Sequence, residues 1–205
     1  MISIPSSFKG KAKRLDAWDF GVIGRRLNLS EDMVRAVVEV EASGSGFDGL
    51  GRPKALFEPH IFFRELGEKK RALAVNQGLA YRRWGERPYP KDSYPRIIAA
   101  MAIDRPAALR ATSWGLGQIM GFNHKTVGYA SVEEMVADTL DDEEKHLEQM
   151  TRFIDAESLD DELRGLRWDA FARGYNGPGY AKHGYHTKLA AAYAKWSKIK
   201  DTPAP

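Results

Sequence analysis

The chain has no cysteine among its 205 residues. That excludes disulfides, thiolate metal sites and a thiol nucleophile, and it leaves the redox state of the compartment unread. The sequence also has no uninterrupted apolar stretch of the roughly 18 residues that a bilayer-spanning helix needs, and it shows no low-complexity run or internal repeat. A surplus of one charge is nearly absent: 31 Lys and Arg stand against 28 Asp and Glu, a formal charge of +3. Basic and acidic residues alternate, as over residues 152–167, which fits a solvated face better than the basic stripe of a nucleic-acid binder. The basic start (Lys9, Lys11, Lys13, Arg14) is followed by no apolar core and no small-residue cleavage site. It does not read as a secretory signal, so the chain is expected to stay in a cytosol unless another factor exports it. No His-Glu-x-x-His and no Gly-x-Ser-x-Gly occur among its residues. His183 and His186 sit in a Gly- and Tyr-rich segment without a nearby acid, so no metal site is expected and the histidines are read as surface residues.

What is present is a chain 43% hydrophobic, 29% charged and 11% aromatic, enough to bury a core in one domain, or one domain with an appendage. Helix signals dominate. Residues 15–29 carry Leu15, Trp18, Ile23 and Leu27 at loosely helical spacing, and Ser30 followed by Glu31 and Asp32 reads as an N-cap opening a helix to Ala42. Ser43-Gly44-Ser45-Gly46 cannot sustain that helix. Residues 47–57 fit a small hairpin, expected to be the only sheet. Pro59 opens a short helix with Ile61, Phe62, Phe63 and Leu66. Residues 69–96 read as a helical piece and then a long surface loop, residues 94–102 as an apolar helix, and Asp104-Arg105-Pro106 as the cap of the next. Ser131-Val132-Glu133-Glu134 has capping-box form and opens a long helix with an apolar stripe running to Ile154. Residues 158–161 cap another helix that ends at Gly177-Pro178-Gly179, and a last helix covers residues 185–198 before a frayed tail at 201–205. The fold class is mostly α, in one domain.

Placing residues at about 100° each along the helix after Ser30 puts Val34, Val37, Val38 and Glu41 on one stripe, while Glu39 points away and Arg35 lies on the flank. Glu41 is therefore an acid on a core-facing stripe. Burial penalises the charged form of a carboxyl, raises its pKa and lets it hold a proton near neutrality, as the general acid of a glycosidase must. The alternative is a carboxylate that caps the following loop or pairs with an arginine. Two further segments bear on the choice. Residues 113–121 (Ser-Trp-Gly-Leu-Gly-Gln-Ile-Met-Gly) put a lone polar Gln118 among glycines that let backbone approach a ligand. Residues 172–180 end a helix whose stripe includes Tyr175, either a core tyrosine bonded to a carbonyl or a residue whose hydroxyl, with Asn176, reaches a cleft.

Taken in order, Val40-Glu41-Ala42-Ser43-Gly44, residues 113–121 and Tyr175-Asn176-Gly177 resemble the signature segments of the lysozyme superfamily, as in goose-type lysozymes and soluble lytic transglycosylases. More closely, Gly51-Arg52-Pro53-Lys54-Ala55-Leu56-Phe57-Glu58-Pro59-His60-Ile61-Phe62, Ser113-Trp114-Gly115 and the run from Gln118 to His124 resemble the N-acetylmuramidase family of phage endolysins. The likeness spans residues 29–196. It implies a two-lobed lysozyme-like helical domain over residues 30–200, preceded by a helical extension at 1–29, and hydrolysis of the β-1,4 bond between N-acetylmuramic acid and N-acetylglucosamine in peptidoglycan. It further implies a monomer without cofactor, metal, nucleic-acid partner or stable membrane insertion, held in the host cytoplasm until a holin-type pore releases it to the periplasm. Glu41 matches the family's acid, Gln118, Tyr175 and Asn176 match groove positions, and Ser113 matches a position beside the substrate. His124 follows the Gln118 segment and is a candidate for the groove. Family members often carry a wall-binding domain ahead of the catalytic one; here about thirty residues precede it, so wall affinity is expected to come from the groove and general basicity.

The second carboxylate is open. Glu58 is the first candidate, with Asp48 and Asp92 behind it, and a cap or a partner for Arg52 or His60 is its bland reading. Without a partner acid, the sugar's own groups take over, giving a transglycosylase with an anhydro product. A noncatalytic wall-binding module with the same groove is the reading from a different class.

Overall fold

The computed structural model describes residues 4–42, 44–200 and 202. The chain runs through α1 (Ala17–Arg26), α2 (Glu31–Ala42), β1 (Ala55–Phe57), α3 (Pro59–Glu65), α4 (Glu68–Asn76), α5 (Tyr94–Arg110), β2 (Thr112–Trp114) and β3 (Ile119–Met120). It continues with α6 (Val132–Asp141), α7 (Glu143–Ala156), α8 (Asp160–Arg164), α9 (Trp168–Asn176), α10 (Tyr180–His183) and α11 (Tyr185–Trp196). Apolar residues gather into two principal clusters. One, around Phe57, Phe62, Ile97, Leu109 and Trp114, binds the sheet to α3, α5 and α6. The other, around Ile23, Val37, Leu147, Phe171 and Leu189, binds α1, α2, α7, α9 and α11. These are two lobes, and the end of α2 lies between them.

The sheet differs from the expected hairpin. Its order is β1-β2-β3, antiparallel throughout, with Leu56 opposite Ser113 and Trp114 opposite Ile119. Residues 47–53 form only a tight turn closed by a Phe47–Pro53 bridge, its tip held by the Asp48 carboxylate, which accepts from the Leu50 and Arg52 amides. The strand partners of β1 come from the glycine-rich segment more than fifty residues on, where Gly115 (φ 69°) and Gln118 (φ 48°) turn β2 back into β3. A pairing at that separation leaves no local trace in the sequence.

Two expected long helices are each split. The stripe opening at Ser131 has its capping box, with Glu134 N donating to Ser131 Oγ at 3.2 Å, but breaks at Asp142, whose backbone is extended and whose carboxylate caps α7. The break is filled from the N-terminal segment: the amides of Ala12 and Lys13 donate to the Leu140 and Asp141 carbonyls, and Glu143 N donates to Lys13 O. The helix expected up to residue 177 breaks into α8 and α9 where Leu166 takes a φ of 52°. Asp104 behaves as expected: it leaves the helical region within α5 and accepts from Ala107 N at 3.0 Å. Of the expected tail only Thr202 lies among the described residues, its amide donating to Glu31 at 3.0 Å.

His146 corrects the surface reading of the histidines. It is buried, its Nδ1 accepts from Leu116 N at 3.2 Å, and its Nε2 donates to Thr139 O at 2.6 Å.

Candidate active site

Helix α2 buries Val34, Val37 and Val38 against the second cluster. Its opposite side is polar but tethered: Glu39 accepts from Lys195 Nζ and Trp196 Nε1, each at 2.7 Å. On the flank, the Arg35 guanidinium bonds Glu31 and stacks 4.2 Å from the Phe20 ring centroid. Glu41 falls one turn beyond Val38, where the core stripe runs out into the cleft. There it is half-buried, and among the described residues its carboxylate accepts a hydrogen bond from Asn176 Nδ2, 3.0 Å from Oε1. Burial pushes its pKa from an ordinary 4.5 up to about 7, against the weaker opposing pull of Asn176 and the Lys188 charge.

Glu41 and Gln118 both line two adjoining cavities. The first, about 320 Å³, is walled by Asp48, Arg52, Lys54, Lys91 and Asp92. The second, about 230 Å³, is walled by Met120, Phe153, Tyr175, Asn176 and Tyr185. In the first, Arg52 Nη2 lies 2.7 Å from Asp48 Oδ2 and 3.3 Å from Asp92 Oδ1, with its guanidinium over the Tyr94 ring at 4.1 Å. Those donors, with two backbone amides, hold the Asp48 carboxyl below the usual carboxylate range even though burial opposes them. Glu41 and Asp48 thus face one cavity with pKa values moved in opposite directions, so that near neutrality Asp48 is charged while Glu41 still holds a proton about half the time.

The other sequence candidates divide. Gln118 is fixed rather than free: its Nε2 donates to Gly115 O at 2.8 Å and its Oε1 accepts from the Ser113 hydroxyl at 2.9 Å. Ser113 is buried behind it and lines neither cavity. Tyr175 takes the first of its two readings, its hydroxyl donating to the Gly117 carbonyl at 3.0 Å with the ring stacked on Phe171, and the residue also forms part of the wall of the second cavity. His124 bonds the Gly121 carbonyl through Nδ1 at 3.0 Å and lines neither cavity, where its neighbour Asn123 does. Glu58 is drawn off: at the start of α3 its Oε2 accepts from the Tyr89 hydroxyl at 2.5 Å and sits 3.2 Å from His60 Nδ1, outside both cavities. Among the described residues no group of His, Asp or Glu has the clustering to hold a metal ion.

Tyr185, Lys188 and Lys91 were not legible as site residues. Lys188 lies one turn after Tyr185 on α11, and only the packing of α11 on α2 brings both towards Glu41. The Asp48–Arg52 pair, four residues apart in a glycine-rich excursion, is a signal the sequence did contain.

The model of the N-acetylmuramidase family matches residues 30–197, which is most of the chain. The chain belongs to the N-acetylmuramidase family. Among solved structures it is similar to the crystal structure of Burkholderia AP3 phage endolysin, at 36% identity and a TM-score of 0.84, over 91% of this chain and 73% of that one. No curated protein matches. As a muramidase it is a glycoside hydrolase with peptidoglycan as substrate, and its helical, two-lobed architecture with a small sheet is lysozyme-like. No described helix is long and apolar enough to cross a membrane.

Proposed function

We propose that this muramidase is an endolysin that cleaves the β-1,4 bond between N-acetylmuramic acid and N-acetylglucosamine, with Glu41 as the general acid. The observation that carries this reading is a desolvated carboxyl, with a pKa near 7, at the junction of two cavities. At neutral pH about half of Glu41 is protonated. The proton passes to the glycosidic oxygen of the leaving sugar as its bond to the anomeric carbon lengthens, and positive charge grows on the ring that keeps the anomeric carbon. Asp48, ionised and fixed by Arg52, supplies a standing negative charge on the wall of the same cavity. Both its oxygens already accept hydrogen bonds, so in this reading it acts through its field and water is the nucleophile, its proton returning to the Glu41 carboxylate left by the first step. Asn176 positions the Glu41 carboxyl, and Gln118, held from behind by Ser113, shapes the floor. The enzyme works as a monomer that reaches the wall through a holin-type pore in the inner membrane.

The test is digestion of Gram-negative sacculi with mass spectrometry of the ends. Reducing muramic acid is expected, and an anhydro end replaces hydrolysis with transglycosylation. Glu41→Gln is expected to lower the rate about 100-fold or more while still folding with a cooperative melting transition no lower than that of the wild type; wild-type lysis by that variant overturns the assignment.

A further inference from the structure

The two cavities that meet at Glu41 differ in chemistry as well as in size. The second carries, apart from Glu41, no charged side chain among its described lining residues, and offers the rings of Phe153, Tyr175 and Tyr185. The first is walled by charges of both signs. Within it Arg52 is committed, 16% exposed and locked between Asp48, Asp92 and the Tyr94 ring. Asp92, 49% exposed and bonded to Arg52 on its inner side, and Lys91, which is exposed, stand at the rim.

Peptidoglycan has a matching asymmetry. N-acetylglucosamine is neutral, whereas N-acetylmuramic acid bears a stem peptide with carboxylates and, at its diamino acid, an ammonium group. We propose that the charged cavity receives the muramic acid residue with its stem peptide running over the rim and the aromatic cavity receives the neutral glucosamine, with Lys91 and Asp92 reading the peptide's carboxylate and ammonium. The inference rests on the muramidase reading above and deepens it: the peptide, as well as the sugar, sets which bond lies under Glu41. A neutral ring stacks on aromatic faces without leaving a charge unpaired, while the same ring in the charged cavity brings no carboxylate to Lys91 and no ammonium to Asp92, whose present charged partner is Arg52. The peptide placed over Phe153 and Tyr185 loses water from its charges and gains none in return.

The experiment compares glycan strands carrying stem peptides with strands stripped by an N-acetylmuramoyl-L-alanine amidase, reading new reducing ends as kcat/KM. The wild-type enzyme is expected to prefer peptide-bearing strands by about tenfold or more, and Lys91→Glu to bring that preference to within about threefold of unity. Lys91 is exposed, so its replacement is compatible with folding, and a melting curve verifies it. Asp92→Asn is the second variant and is expected to shrink the same ratio. A wild-type preference near one, or a preference unchanged in both variants, overturns the proposal while muramidase cleavage stands. Failure of the wild type to release reducing muramic ends from either substrate overturns the muramidase reading and the proposal with it.

Discussion

Glu39 and Glu41, two residues apart, have pKa values moved in opposite directions, Glu39 down by Lys195 and Glu41 up by burial. Activity that requires protonated Glu41 is present at acid pH and falls as pH rises through about 7. Asn176 donates to the carboxylate and so favours its charged form. Asn176→Ala is therefore expected to move the alkaline limb of the kcat profile upward, and an unmoved or lowered limb denies Asn176 that role. The same burial bears on stability. The folded pKa exceeds the ordinary 4.5, so ionisation is resisted by the fold; stability declines between pH 4.5 and about 7 and the cost stays constant above. Glu41→Gln is expected to raise stability by up to about 3 kcal/mol at alkaline pH and by nothing near pH 4, read from denaturant melts at both. The face argument that singled out Glu41 needed only Val34, Val37 and Val38 on one helix. Its partner Asn176 lies 135 residues away and came from family likeness, since periodicity carries no information about a contact between helices.

Among the elements, local signals were legible where a residue acts on its own turn: the Ser131 capping box, the Asp104 cap and the α2 stop at Gly44, with its φ of 90°. They failed where a tertiary contact decides. The turn between β2 and β3 is such a case. Its shape is set by His146 on α7, which accepts from Leu116 N and lies so close to Gly115 that a methyl group added there would meet the ring at 2.8 Å. Gly115 also has a φ of 69°, a conformation costly to side chains. Gly115→Ala is expected to cost about 2 kcal/mol and, by shifting the turn that Gln118 Nε2 bonds, to lower kcat more than it raises KM. Full activity and an unchanged melting temperature in that variant would show that the turn tolerates the displacement. By sequence alone, residues 113–121 are backbone that approaches a ligand; their glycines also serve close internal packing, Gly115 against the His146 imidazole, Gly117 against Met150 and the Tyr175 hydroxyl, and Gly121 against the Leu109 carbonyl.

Over the whole molecule, the segment expected as an N-terminal extension is built into both lobes. Phe8 is buried with its ring 5.0 Å from Tyr94 and 5.9 Å from Trp114, in the sheet lobe. Further on, Arg14 Nη1 and Leu15 N donate to the Glu143 carboxylate at 2.9 and 3.0 Å, and α1 packs on α2 and α7 in the other lobe. The same carboxylate accepts from Ser45 Oγ at 2.9 Å and Gly46 N at 2.7 Å, just beyond Glu41. One buried acid thus ties the N-terminal strap to the loop that follows α2. These donors hold its pKa below the ordinary 4.5, so its contribution is complete above that pH and is lost on acidification. His146, with a pKa lowered by burial, adds to the same acid weakness: its neutral form supports the fold above the ordinary 6.5 and is lost as pH falls. The fold is therefore expected to weaken on the acid side as Glu143 and His146 both take up protons, and Glu143→Gln to flatten the more acidic part of that decline. Phe8→Ala is expected to cost about 3–5 kcal/mol, and a chain starting at Leu29, which still spans the whole family match, to lose the cooperative transition. The strap's contacts account for this: without it Glu143 keeps two of its four donors and the Phe8 site beside Trp114 opens to water. A truncated chain that melts like the full one and cleaves sacculi at the same rate would return residues 4–29 to the status of an appendage.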